Sequence, residues 1–155
     1  MSKSTLPRLK ALRDEMGKAG ITAFIIPGTD PHQSEYYASH WAARTWISGF
    51  DGSAGTAVVT TNQAGLWTDS RYFLQAAQQL EDSGFELFKE GLPDTPTIEQ
   101  WLLTTLPQGA TIAIDGTLFG ASKAAAMKQN FESHGFRFVS DFTPFDSIWE
   151  KRPSI

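Results

Sequence analysis

Three groups of residues in this sequence have types and spacings that could do chemistry. The first is the run SGFDGSAG at residues 48–55, in which Gly49, Gly52, Ser53 and Gly55 bend the backbone where larger residues would clash. The second is Asp30-Pro31-His32-Gln33-Ser34-Glu35, one imidazole and two carboxylates within a polar stretch. The third is Asp69 with Arg71, a carboxylate and a guanidinium near the end of a hairpin pattern. A phosphate-binding loop would need a Lys-Ser/Thr ending and a helix N-terminus behind it, whereas the glycine run feeds a β-rich stretch at residues 56–61. A nucleophile elbow needs glycine two places before and two places after its serine. Gly55 meets the second condition and Asp51 breaks the first, so Ser53 reads as a turn hydroxyl. The Asp30, His32 and Glu35 cluster matches no metal-ligand spacing: HExxH is absent, and His40 and His134 lie elsewhere. It reads as a hydrogen-bonded loop. Asp69 and Arg71 pair either to fix the turn or to present a guanidinium to a carboxylate, and the turn-fixing role is the expected one. Residue chemistry alone therefore assembles no complete catalytic constellation.

The elements that must position these groups follow from periodicity. Leu6, Leu9, Leu12 and Met16 recur at helical spacing among charged residues and predict a surface helix ending near Gly20. The apolar run at residues 21–26, stopped by Pro27-Gly28, predicts a strand buried on both faces. The polar loop that follows lies at that strand's carboxyl end, where open α/β sheets place ligand sites. Residues 41–47 predict a short helix. The stretches at residues 56–61 and 65–68 then form a hairpin around Asn62-Gln63. A helix capped by Thr68 or Asp69 follows, with Tyr72, Phe73, Ala76, Ala77 and Leu80 on one face. Further strands are predicted at residues 85–88, 111–115 and 136–139. A helix begins with Thr95 as N-cap and Pro96 in its first turn, and another opens at Ser122 and ends near Gly135. Strands alternating with helices around one hairpin, which forces one antiparallel pair, give an α/β fold with a mixed β-sheet flanked by helices. Residues 145–149 form a turn, and Lys151-Arg152-Pro153 begins a linker. The expected organisation is a single domain over residues 1–150 with the linker in 151–155.

Composition narrows the function classes. At 155 residues and 41% hydrophobic content, the chain can bury a core of its own. It has no cysteine, which excludes disulfides and thiolate metal sites and permits a reducing compartment. A net charge of −4 supplies no field for nucleic acid or anionic lipid, so no nucleic-acid partner and no membrane is expected. No stretch approaches the roughly 20 apolar residues of a membrane span, and the opening MSKSTLPRLK leads into a polar helix. A cytoplasmic location is the default expectation. Of the five tryptophans, core packing accounts for most, with one or two suited to a half-buried interface.

Three blocks in order, Asp30-Pro-His-Gln-Ser-Glu-Tyr, Ser48-Gly-Phe-Asp-Gly-Ser-Ala-Gly-Thr-Ala and Trp67-Thr-Asp-Ser-Arg-Tyr-Phe-Leu-Gln-Ala-Ala, resemble the N-terminal domain of Xaa-Pro aminopeptidases of the cytosolic aminopeptidase P type. The resemblance continues through Gly91-Leu-Pro-Asp-Thr-Pro-Thr to Ile148-Trp-Glu-Lys-Arg-Pro. It implies a creatinase/prolidase-type N-terminal domain with a ribonuclease-H-like arrangement. It also implies that catalysis belongs to a separate C-terminal domain holding two divalent metal ions, manganese in the usual case, that cleaves the bond before a proline in second position. No catalytic or metal-binding residue carries over to this chain. What carries over is packing against the protein's own catalytic domain or a neighbouring subunit of a homo-oligomer, and narrowing of substrate access. The loops containing Asp30, His32 and Glu35, and Asp51 and Ser53, together with Arg71, are the candidates for that surface. Two other readings stay open: a free-standing binding or dimerisation module of the same fold, and the N-terminal domain of a creatinase- or prolidase-like enzyme.

Overall fold

The computed structural model describes residues 5–28, 42–52, 54–149 and 152–153. The first helix, α1, spans Thr5–Ala19 and buries Leu9, Leu12 and Met16, the stripe expected from their spacing. Strand β1, Ala23–Pro27, is buried along its whole length. After a short helix α2, Ala43–Ser48, strands β2, Thr56–Thr60, and β3, Ala64–Thr68, form the hairpin. Its turn is closed by the Thr60 N–H on the Gln63 carbonyl at 2.8 Å, and α1 braces it through Arg13, whose Nε donates to the Thr60 carbonyl at 2.9 Å. A 3-10 turn, Ser70–Tyr72, leads into α3, Phe73–Gln79, and then β4, Glu86–Lys89. Helix α4, Ile98–Thr105, precedes β5, Thr111–Ala113, and helix α5, Ala121–Ser133, precedes β6, Arg137–Val139. Helix α6, Phe145–Ile148, completes the described elements.

The strands form one six-stranded mixed sheet in the order β4-β3-β2-β1-β5-β6. Pairs β1–β2 and β2–β3 are antiparallel, so there are two antiparallel pairs where the hairpin alone predicted one. Pairs β1–β5, β5–β6 and β3–β4 are parallel. The β3-β2-β1-β5-β6 portion is the ribonuclease-H-like arrangement expected above, with β4 added at one rim. Alternation along the strands divides the core in two. Phe24, Ile26, Ala57, Val59 and Leu66 face α1, α2, α3 and α6, while Ile25, Val58, Trp67, Ile112 and Phe138 face α4 and α5. On the second side the Trp67 indole stacks on Phe88 at 4.0 Å, and its Nε1–H donates to the Pro96 carbonyl at 2.9 Å, so its one polar atom is paired on burial.

Three helix starts differ from expectation. The cap of α4 is Thr97, not Thr95: its side chain accepts from the Gln100 N–H and the Gln100 side chain returns to the Thr97 N–H. That reciprocal pair satisfies two free helix-end groups, an advantage the Thr95-Pro96 reading overlooked. Asp69 is a cap, as predicted, but of the 3-10 turn that precedes α3. Helix α5 begins one residue earlier than Ser122, after Gly120.

Candidate functional site

Strands β1, β3, β4, β5 and β6 all end, and β2 begins, at one end of the sheet: Pro27 pairs with Thr56, Thr56 with Trp67, and Thr68 with Lys89. The described candidate residues gather around this carboxyl end. The turn at residues 50–55 enters β2, Asp69 and Arg71 leave β3, and Glu90 leaves β4.

The turn is held from beneath by Arg44. This side chain of α2 is only 1% exposed; its Nη1 donates to the Gly55 carbonyl at 3.1 Å and its Nη2 to the Gly52 carbonyl. The guanidinium also lies 5.1 Å from the centre of the buried Phe50 ring. A third carbonyl of the turn, that of Ala54, accepts from the Thr68 hydroxyl at 2.7 Å. Turn carbonyls unavailable to the strand ladder are thus satisfied by side chains, as buried backbone groups must be. Close approach explains the glycines. A Cβ on Gly28, just beyond β1, would collide with the Arg44 guanidinium, and Gly55 holds a φ of +154°, a conformation that side-chain-bearing residues rarely adopt.

Asp51 lies at the outer edge of the turn, where its Oδ1 accepts from Gln75 Nε2 at 2.7 Å and Gln79 Nε2 at 2.9 Å, side chains one helical turn apart on α3. Arg71 embraces Asp69 in a two-pronged contact: Nε to Oδ1 and Nη2 to Oδ2, both at 3.0 Å, with the Arg71 backbone N–H also on Oδ1. These bonds from Arg71 hold the Asp69 carboxyl below the usual carboxylate range. Partial burial and the neighbouring Asp69 charge push Glu90 the other way, up. The Arg71 side chain is nonetheless 63% exposed, and its guanidinium lies 5.1 Å from the Tyr72 ring centre.

The turn-fixing pair predicted for Asp69 and Arg71 is therefore present, and Asp51 and Arg71 share α3 and its leading turn as their support. Asp30, His32, Glu35 and Ser53 lie outside the described residues. Among the described residues, no group of three or more His, Cys, Asp or Glu side chains converges as a metal-ion site. No described helix is long and apolar enough to cross a membrane. A cleft of about 370 Å³ on the α4/α5 side of the same sheet end is lined by Pro27, Thr56, Thr97, Glu99, Phe119 and Lys123 among others. Glu99 there accepts from Asn130 at 2.9 Å and Lys123 sits over the Phe119 ring. Sequence reasoning missed Arg44. The available signal was a cation inside a short helix whose neighbours Ala43 and Ile47 are core residues, close in sequence to a turn rich in unpaired carbonyls.

A mixed sheet with this strand order, two helical layers and a braced glycine turn at its carboxyl end defines a class. Residues 8–151 match the Creatinase/Prolidase N-terminal domain, and the chain belongs to that family. It is 44% identical over 151 residues to Aminopeptidase P2 of Arabidopsis thaliana, covering 96% of this chain and 21% of that protein. It is 48% identical over 124 residues to the Xaa-Pro aminopeptidase ApepP of Drosophila melanogaster, covering 76% of this chain and 20% of that protein. The X-prolyl aminopeptidase of Caenorhabditis elegans, described as a cytosolic enzyme with a di-nuclear active site, superposes with a TM-score of 0.82 at 36% identity, over 86% of this chain and 22% of that one. The N-terminal domain of the cytoplasmic peptidase PepQ of Mycobacterium tuberculosis shares the fold, with a TM-score of 0.66 at 21% identity over 92% of this chain and 98% of that one. The chain thus spans about a fifth of the length of the two Xaa-Pro aminopeptidase relatives named here. The resemblance carried by the three sequence blocks is borne out.

Proposed function

We propose that this chain is the non-catalytic N-terminal domain of a cytoplasmic Xaa-Pro metalloaminopeptidase. In this reading the carboxyl end of its sheet packs on the catalytic domain, its own or a neighbouring subunit's, and narrows access for peptides with proline in second position. The observation that carries the reading is the match to an N-terminal domain along residues 8–151 together with relatives several times longer that are Xaa-Pro aminopeptidases. Geometry supports the choice of surface: the braced turn, the exposed Arg71 and the last described residues, Arg152 and Pro153, all lie toward the same end of the sheet, since Arg152 lines a cavity with Pro27 and Asp115. The compartment follows the cytosolic description of the worm enzyme. Hydrolysis is assigned to the remainder of the protein, where the two divalent metals, manganese in the usual case, belong.

The purified chain, with or without added manganese, is expected to leave a Xaa-Pro peptide uncleaved. Metal-dependent turnover by these 155 residues, abolished by His32→Ala, would overturn the assignment. In the full-length enzyme, Arg71→Ala is expected to lower kcat/KM about tenfold with little change in Tm. An exposed ion pair contributes little to stability, whereas a tenfold loss of kcat/KM corresponds to about 1.4 kcal/mol in the transition state. A fall in Tm with kcat/KM unchanged would confine Arg71 to fixing the turn.

A further inference from the structure

Strands β1 and β5 are parallel neighbours, and the helices that follow them, α2 and α5, pack on opposite sides of the sheet. In open α/β sheets the crevice at such a reversal is where ligands are received. Here the crevice is closed down to about 20 Å³, room for about one water. Its lining includes Pro27, Ala43, Asp115, Phe145 and Arg152, so two of its walls come from the chain's own last described segment. Phe145 is 7% exposed and the Arg152 side chain 15%.

The same segment is gripped from the side. The Trp149 indole stacks on Trp46 of α2 at 5.2 Å with a 21° interplanar angle. Guanidinium groups cover the two indoles: that of Arg8 lies 4.7 Å from the Trp46 ring centre and that of Arg152 lies 5.7 Å from Trp149. Arg8 Nη1 also donates to the Trp46 carbonyl at 2.7 Å, and Arg152 Nη1 meets Asp146 Oδ1 at 2.9 Å. One six-residue helix, α2, therefore holds the glycine turn through Arg44 and the departing segment through Trp46.

We propose that Phe145 and Arg152 act as an intramolecular ligand of the β1/β5 crevice and that Trp149, clamped on Trp46, locks them there, forming a joint that fixes the direction in which the chain leaves this domain and ties it through α2 to the glycine turn. The joint rests on the reading that a catalytic domain follows. A flexible linker would leave a docking surface to find its partner by diffusion; a seated one delivers the following domain to the same end of the sheet.

The test uses the full-length protein. Amide exchange at Ser147, Ile148, Trp149 and Arg152, whose N–H groups are bonded within this segment, is expected to speed up at least tenfold in Arg152→Ala and in Trp149→Ala, and to stay near the wild-type rate in Trp149→Phe, which keeps a stacking ring. Small-angle scattering of the two alanine variants is expected to show a larger radius of gyration, and kcat/KM on a Xaa-Pro peptide to fall at least fivefold. Unchanged exchange in both alanine variants would overturn the joint. Faster exchange with an unchanged scattering profile would overturn its role in setting direction. Absence of Xaa-Pro cleavage by the wild-type full-length protein would count against the proposed function alone, because exchange and scattering still decide the joint.

Discussion

Arg44→Ala should be among the most damaging single substitutions in this domain, lowering stability by about 3–5 kcal/mol, as one buried and one part-buried carbonyl lose their donors and a large side chain leaves a cavity. For a chain of this size that corresponds to a fall in Tm of roughly 6–20 °C, readable by thermal circular dichroism or calorimetry. The Gly52 and Gly55 carbonyls sit just before β2, whose paired register begins at Thr56, and Arg44 reaches both with one planar group. Arg44→Lys tests the geometry separately. A single ammonium keeps the charge and loses the fork, so it should recover only part of the stability. A Tm within 2 °C of wild type for Arg44→Ala would mean that water serves these carbonyls equally well, an outcome the 1% exposure of Arg44 argues against.

Gly55→Val is expected to cost about 1–3 kcal/mol, because a β-branched residue would be forced into a φ that it avoids. The packing environment sets the upper part of that range. A Cβ at this position would lie 3.1 Å from the Trp67 carbonyl oxygen and 3.2 Å from the Phe50 ring, and both neighbours are buried core residues with little room to retreat. Gly55→Ala should fall at the low end, since it meets the same φ without the γ-branches. An unchanged Tm for valine would show that the turn can open to an ordinary extended conformation without losing its grip on Arg44.

Periodicity carried most of the architecture. The stripe Leu9, Leu12, Met16, the apolar run of β1 and the hairpin alternation each follow from a local rule, and each element lies within a few residues of its predicted bounds. The pairing of β1 with β2 was not legible, because a connection through α2 hides which neighbour a strand will choose. The α4 start was misplaced where two threonines and a proline competed, and the reciprocal bond between Thr97 and Gln100 decided it. At the site, Asp69 and Arg71 were readable because their partners are two residues apart. Arg44 was not, since its partners are carbonyls, which every residue carries and no sequence pattern marks. The same holds for Asp51: its bonds to Gln75 and Gln79 span more than twenty residues and involve side chains that on sequence read only as a polar helix face.

The two rims of the sheet bear on how this domain can associate. The outer strands β4 and β6 have four and three residues, and charged Glu86, Lys89 and Arg137 stand on them. Rims so short and so charged offer few main-chain groups to a foreign strand. Joining two copies of the domain into one continuous sheet is therefore disfavoured. Strand pairing being disfavoured, the helix surfaces and the loop-bearing end are the better-suited faces for lasting contact, and there side chains rather than backbone provide the selectivity.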